Sequence, residues 1–109
     1  MWLTTRIGFF SVVKKPDEMD LTVRARVKED LENLRQRYLP TLGKITESSE
    51  TDYRYRAKAT HANFAEAVKK IAMDIDYPNF KQLVAAEQGS KRKRIYSEVW
   101  WALSRLQEE

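Results

Sequence analysis

The sequence predicts an α+β fold. The expected form is a two-layer domain whose four-stranded antiparallel sheet is built from two β-β-α units, with helices on one face and two more helices at the C-terminal end. Three observations predict it. Asp20-Leu21-Thr22-Val23-Arg24-Ala25-Arg26-Val27 is echoed by Asp52-Tyr53-Arg54-Tyr55-Arg56-Ala57-Lys58-Ala59. Both copies alternate basic with apolar residues, the period-two signature of a strand with two unlike faces. Both also run straight into segments whose apolar residues recur at helical spacing.

Residues 2–14 read as the first strand. Trp2, Leu3, Thr4, Thr5, Ile7, Phe9, Phe10, Val12 and Val13 are β-branched, aromatic or otherwise suited to a sheet. The run is apolar on nearly both faces, as a strand covered on both sides would be. Gly8 in its middle points to a bulge or a close backbone approach. Lys15-Pro16-Asp17-Glu18 reads as a turn, and 20–27 as the second strand.

Residues 28–39 read as a helix, with Leu31, Leu34 and Tyr38 on one face. Glu29 and Asp30 in its first turn suit the positive end of the helix dipole, and Pro40 and Gly43 end it. Ile45 and its neighbours form a short third strand, 47–52 a polar turn, and 52–60 the fourth strand. Thr60 is placed to cap a helix from His61 to about Ile75, with Phe64, Val68, Ile71 and Ile75 in one stripe. Asp76-Tyr77-Pro78-Asn79 breaks it. A short helix over 79–87 turns Phe80, Leu83 and Val84 inward and stops at Gly89. Ser90 is expected to cap a last helix to about Leu106, with Ile95, Val99, Leu103 and Leu106 along its apolar face.

A chain of 109 residues is expected to form one domain, 1–109, with a single core. It has no cysteine, which excludes a disulfide, a thiolate zinc site and a cysteine nucleophile. Its one histidine, His61, argues against a histidine-rich metal site, and no metal or cofactor is expected. The longest apolar run, Ile7 to Val13, is far short of the roughly 20 residues that cross a bilayer. No leader-like pattern precedes it, so the expectation is a cytoplasmic protein with no membrane partner. The formal net charge is +4, and Lys91-Arg92-Lys93-Arg94 accounts for all of it. Removing those four leaves as many basic residues as acidic ones, so any electrostatic argument concerns where charge sits.

The first candidate site is the basic strand face. Arg24, Arg26, Arg54, Arg56 and Lys58 stand at alternate positions and could track phosphates, with first-strand aromatics as stacking partners. Arginine favours bidentate contact with phosphate. A solvated face is the plainer alternative. The second candidate is Lys91, Arg92, Lys93 and Arg94, cations in a first helical turn where the dipole disfavours them; a phosphate meeting that helix start would explain the placement, a frayed solvated end would equally. The third is Trp101 with Arg105, on the helix side away from the apolar stripe, read as an interface, as second-side burial or as a mutual stack. Asp74 with Asp76, and His61, are weak candidates for metal binding or acid–base work, because no calcium-loop pattern or nucleophile motif accompanies them. Three scattered glycines form no phosphate loop.

Met1-Trp2-Leu3-Thr4-Thr5 with Gly8-Phe9-Phe10-Ser11-Val12-Val13, the Val23-Arg24-Ala25-Arg26 strand and 74–81 together resemble a small bacterial family with no assigned activity. The resemblance implies a bacterial cytoplasmic origin and assigns no residue a role. From the residues, the expected function is non-enzymatic binding of an anionic partner, nucleic acid or a nucleotide, through the basic sheet face. The alternative is a homodimeric protein-interaction module.

Overall fold

The computed structural model describes residues 1–108. The chain divides into two compact units, Met1–Ile75 and Asp76 onward.

The N-terminal unit is an antiparallel sheet with helices on one face. The segment expected as one strand over 2–14 doubles back on itself. β1 (Trp2–Thr5) and β2 (Gly8–Val13) pair antiparallel from Trp2 opposite Ser11 to Thr5 opposite Gly8, with Arg6-Ile7 as the turn. The Thr5 hydroxyl closes that turn: it accepts from the Ile7 N–H at 3.2 Å and donates to the Gly8 carbonyl at 2.9 Å. Ile7 is buried at the hairpin tip, which is why two short strands read as one uninterrupted apolar run. The sheet therefore has five strands rather than four. With β3 (Leu21–Ala25), β4 (Thr46–Glu47) and β5 (Tyr55–Ala59), the spatial order is β1-β2-β3-β5-β4.

The close approach expected at Gly8 is to a side chain. A Cβ there would lie 2.4 Å from the Asp30 Cγ. Asp30 sits in the first turn of α1 (Lys28–Arg37), is buried, and accepts a hydrogen bond from the Phe9 N–H at 3.0 Å. That carboxylate pins the hairpin to the helix at the end where the dipole favours a negative charge.

The two echoed segments pair with each other. β3 and β5 lie side by side with Arg24 opposite Arg56, Val23 opposite Ala57 and Leu21 opposite Ala59. Arg24 and Arg56 occupy equivalent positions in the echo, so the two copies meet about that pair. Phe10, Val12, Val23, Ala25, Ala57 and Ala59 form the buried face of the sheet, with Leu31 and Leu34 of α1 in the same core. α2 (His61–Met73) adds Phe64 and Ala67. Its N-cap is Thr60, whose hydroxyl accepts from the Asn63 N–H at 3.1 Å, as expected. At its far end Asp74 is held twice: its carboxylate accepts from the buried Tyr38 hydroxyl at 2.6 Å and its carbonyl from the Arg6 guanidinium at 3.0 Å.

The second unit is a helical hairpin of α3 (Phe80–Gln88) and α4 (Ser90–Ser104), the latter running into a 3-10 turn at Arg105–Gln107. Asn79 caps α3 by accepting from the Gln82 N–H at 2.9 Å. Gly89 alone joins the helices. Its φ of +96° lies in a region that side chains rarely adopt, and its N–H reaches the carbonyls of Val84 and Ala85. Gly89, not Ser90, is therefore the boundary residue of α4. The rings of Phe80 and Tyr96 stack at 6.0 Å and the Lys81 ammonium lies 4.5 Å from the Trp100 ring, which fixes the side of α4 that meets α3.

The stripe expected to be the buried face of α4 is exposed. Ile95, Val99, Leu103 and Leu106 are 46%, 47%, 57% and 77% accessible, because α3 packs against the neighbouring side of the helix. Among the described residues, no helix is long and apolar enough to cross a membrane.

Candidate anion-binding sheet face

Side chains that are register partners across adjacent strands share one face of a sheet. Trp2 stands opposite Ser11, Ser11 opposite Arg24, Arg24 opposite Arg56, and Arg56 opposite Thr46. These residues alternate with Val12, Val23 and Ala57 of the core, so they form one row across all five strands on the face away from α1. The next row is Val13, Thr22 and Lys58.

Arg24 is anchored on its neighbour. Its guanidinium donates to the Ser11 hydroxyl at 2.7 Å and lies 4.6 Å from the centre of the Tyr53 ring. Arg26, just beyond β3, takes up a second position 4.3 Å from that ring centre and donates to the Asp52 carbonyl. Tyr53, itself buried, is thus a platform for two guanidinium groups. Arg56 donates from one terminal nitrogen to the Tyr53 carbonyl at 3.3 Å, while its Nε is buried with no hydrogen-bond partner. Among the described residues, none of these three arginines forms an ion pair with a carboxylate.

The other two cations of the strand face are differently employed. Lys58 donates to Glu18 and, at 2.9 Å, to the Thr22 hydroxyl. The Lys58 hydrogen bond holds the Glu18 carboxyl below its usual range. Arg54 precedes β5 and leaves the row: its Nε pairs with Glu47 at 2.7 Å, beside the Tyr55 ring, and that bond raises its already high pKa. Aromatic residues border the row at its other end. Trp2, 73% exposed, meets Phe9 edge-on at 6.0 Å on the same face, whereas Phe10 points into the core. Trp2 and Arg24 are two strand spacings apart, roughly 10 Å.

Lys91, Arg92, Lys93 and Arg94 occupy the first turn of α4, in the other unit. Arg92 donates to the Tyr96 hydroxyl at 3.1 Å, and Lys91 and Arg94 are exposed. Trp101 is 68% exposed and meets Trp100 edge-on at 5.2 Å; Arg105 is exposed one turn later. His61 is an exposed first-turn residue of α2, and the Asp74 carboxylate is engaged by Tyr38. Among the described residues, no cluster of three histidine, cysteine or acidic side chains could hold a metal ion.

Tyr53 is the site residue that sequence reasoning missed. Continuing the β5 alternation places it beside Tyr55, on the core side. The strand instead begins at Tyr55, and residues 51–54 bend. The Thr51 hydroxyl donates to the Tyr53 carbonyl at 2.7 Å, and the Asp52 carboxylate accepts from the Tyr53 N–H at 3.0 Å. The polar turn expected over 47–52 thus runs on through Arg54, which takes Tyr53 out of the strand alternation.

Comparison with family models, with curated proteins and with solved structures finds no match to this chain.

Proposed function

We propose that this protein is a non-enzymatic binding domain for an anionic partner, single-stranded nucleic acid or a nucleotide, and that it binds through the row Trp2, Ser11, Arg24 and Arg56 with Arg26 and Tyr53. The observation that carries the reading is the gathering of three guanidinium groups on one sheet face with no carboxylate among the described residues to neutralise them, two of them directly opposite each other. Like charges in cross-strand register destabilise a sheet, and a buried donor without an acceptor costs more. A phosphate between the two guanidinium groups would relieve the first of these. Guanidinium groups recognise phosphate oxygens in pairs, and two of these are held in place by the Tyr53 ring before any ligand arrives.

The exposed Trp2 favours a nucleic acid or nucleotide over a bare anion. An aromatic ring beside a cationic track is the arrangement on which bases stack in sequence-tolerant single-strand binders. Photocrosslinking of a labelled single-stranded oligonucleotide, with the adducts mapped by mass spectrometry, tests the location. Adducts on the peptides carrying Trp2, Phe9 and Tyr53 are expected. Adducts confined to the peptide carrying Lys91–Arg94 would move the site to the other unit and refute the proposal.

A further inference from the structure

The exposed stripe of α4 has an internal order that the sheet-face reading leaves unused. Ile95, Val99 and Ala102 of α4 and Leu106 of the 3-10 turn that continues it follow one another at spacings of four, three and four, the spacing of a coiled-coil seam. Ala102 is exposed as well, and Leu103 borders the seam on one side. Glu98 and Arg105 border it on the other, seven residues apart, in the flanking positions that choose a partner helix. Trp101 adjoins that charged flank.

We propose that this face of α4 is covered by α4 of a second copy of the chain, the two helices running antiparallel about a twofold axis. The spacing sets the register. Ile95 of one copy packs beside Leu106 of the other, and Val99 beside Ala102, whose small side chain lets the helices approach closely. Glu98 then faces Arg105 of the other copy, and by symmetry the pair occurs twice. A parallel pairing would not bring these two residues together. The exposed parts of Ile95, Val99, Leu103 and Leu106 amount to roughly 400 Å² per copy, about half of the roughly 800 Å² that each partner contributes to a stable interface, and the Glu98–Arg105 pairs lie at its rim. A contiguous apolar patch of that size on a protein surface is often functional.

Sedimentation of the full chain at micromolar concentration is the test, with charge reversals that leave the fold alone. The unaltered chain is expected to sediment as a dimer. Glu98→Arg alone and Arg105→Glu alone each place like charges opposite each other and are expected to raise the dissociation constant at least tenfold. In a mixture of the two variants, a dimer with one copy of each has opposite charges at both contacts, and dimer formation is expected to return. Val99→Glu, placed in the seam, is expected to give a monomer with unchanged helical content and unchanged oligonucleotide binding. A chain that stays monomeric at 100 μM, or a dimer indifferent to both charge reversals and to Val99→Glu, would overturn the proposal. A monomer whose α4 amides are protected from hydrogen exchange would overturn it too, by showing the stripe covered from within the chain.

Discussion

Arg24 and Arg56 stand directly opposite each other in the β3–β5 register, and neither guanidinium forms an ion pair among the described residues. Two like charges so placed cost on the order of 0.2–1 kcal/mol relative to a neutral pair. The buried Nε of Arg56 adds an unmet donor, a further cost of about 1–3 kcal/mol before relaxation. Against this cost stand the contacts of Arg24 with Ser11 and the Tyr53 ring and of Arg56 with the Tyr53 carbonyl.

Replacing Arg56 should therefore stabilise the protein while impairing its function. Arg56→Met keeps the aliphatic stem and removes the charge and the unmet donor. Urea unfolding is expected to show a gain of about 1 kcal/mol, with oligonucleotide affinity reduced at least tenfold. A loss of stability would mean that Arg56 supports the sheet rather than a ligand.

Tyr53 separates ring from hydroxyl in its expected behaviour. Two cation–ring contacts depend on it, each worth about 0.5–1 kcal/mol. Tyr53→Leu should weaken binding by releasing Arg24 and Arg26, whereas Tyr53→Phe should bind almost as the unaltered protein does. Equal losses in the two variants, measured by the same titration, would remove the stacking role.

Gly8 and Asp30 carry the hairpin that presents Trp2. Gly8→Ala pushes a methyl group into the Asp30 carboxyl group, and Asp30→Ala leaves the Phe9 N–H without its acceptor. Each should cost about 1–3 kcal/mol in chemical denaturation. Neither should alter the affinity of the folded fraction by more than a few-fold, since neither residue faces the row.

Tyr38 predicts the alkaline limit of stability. Burial, followed by its hydrogen bond to the Asp74 carboxylate, raises its pKa above the usual value. A group with a raised pKa stabilises the fold fully below its unfolded value and loses that contribution as pH climbs through the folded one. Stability should accordingly fall above about pH 10, the ordinary tyrosine value. Tyr38→Phe should lack that component of the decline. Parallel pH–stability curves for the two proteins would contradict the assignment.

The strands carrying the cations were legible because alternation of charge with apolar residues has a single structural meaning. That same alternation puts Arg24 and Arg56 on one face once the echoed strands lie side by side, and the register then sets them directly opposite each other. The β1–β2 hairpin was hidden for a physical reason. Its turn, Arg6-Ile7, has no Asn, Gly or Pro, and Ile7 is buried, so hydropathy does not dip where the chain reverses. Arg54 was misplaced and Tyr53 missed because β5 begins at Tyr55, and alternation holds only inside the strand. For α4, periodicity identified an apolar stripe correctly; what lies against such a stripe is a property of the neighbours, and α3 takes the adjacent side.

Fluorescence anisotropy of a labelled single-stranded oligonucleotide, titrated from low to moderate salt, puts the uncompensated guanidinium groups to the most direct trial. Three phosphate contacts predict that the logarithm of affinity falls with the logarithm of salt at a slope of about −2, and that Arg24→Glu combined with Arg56→Glu abolishes binding while the chain stays folded. No binding at low salt, or the same slope and affinity in the double variant, would contradict it.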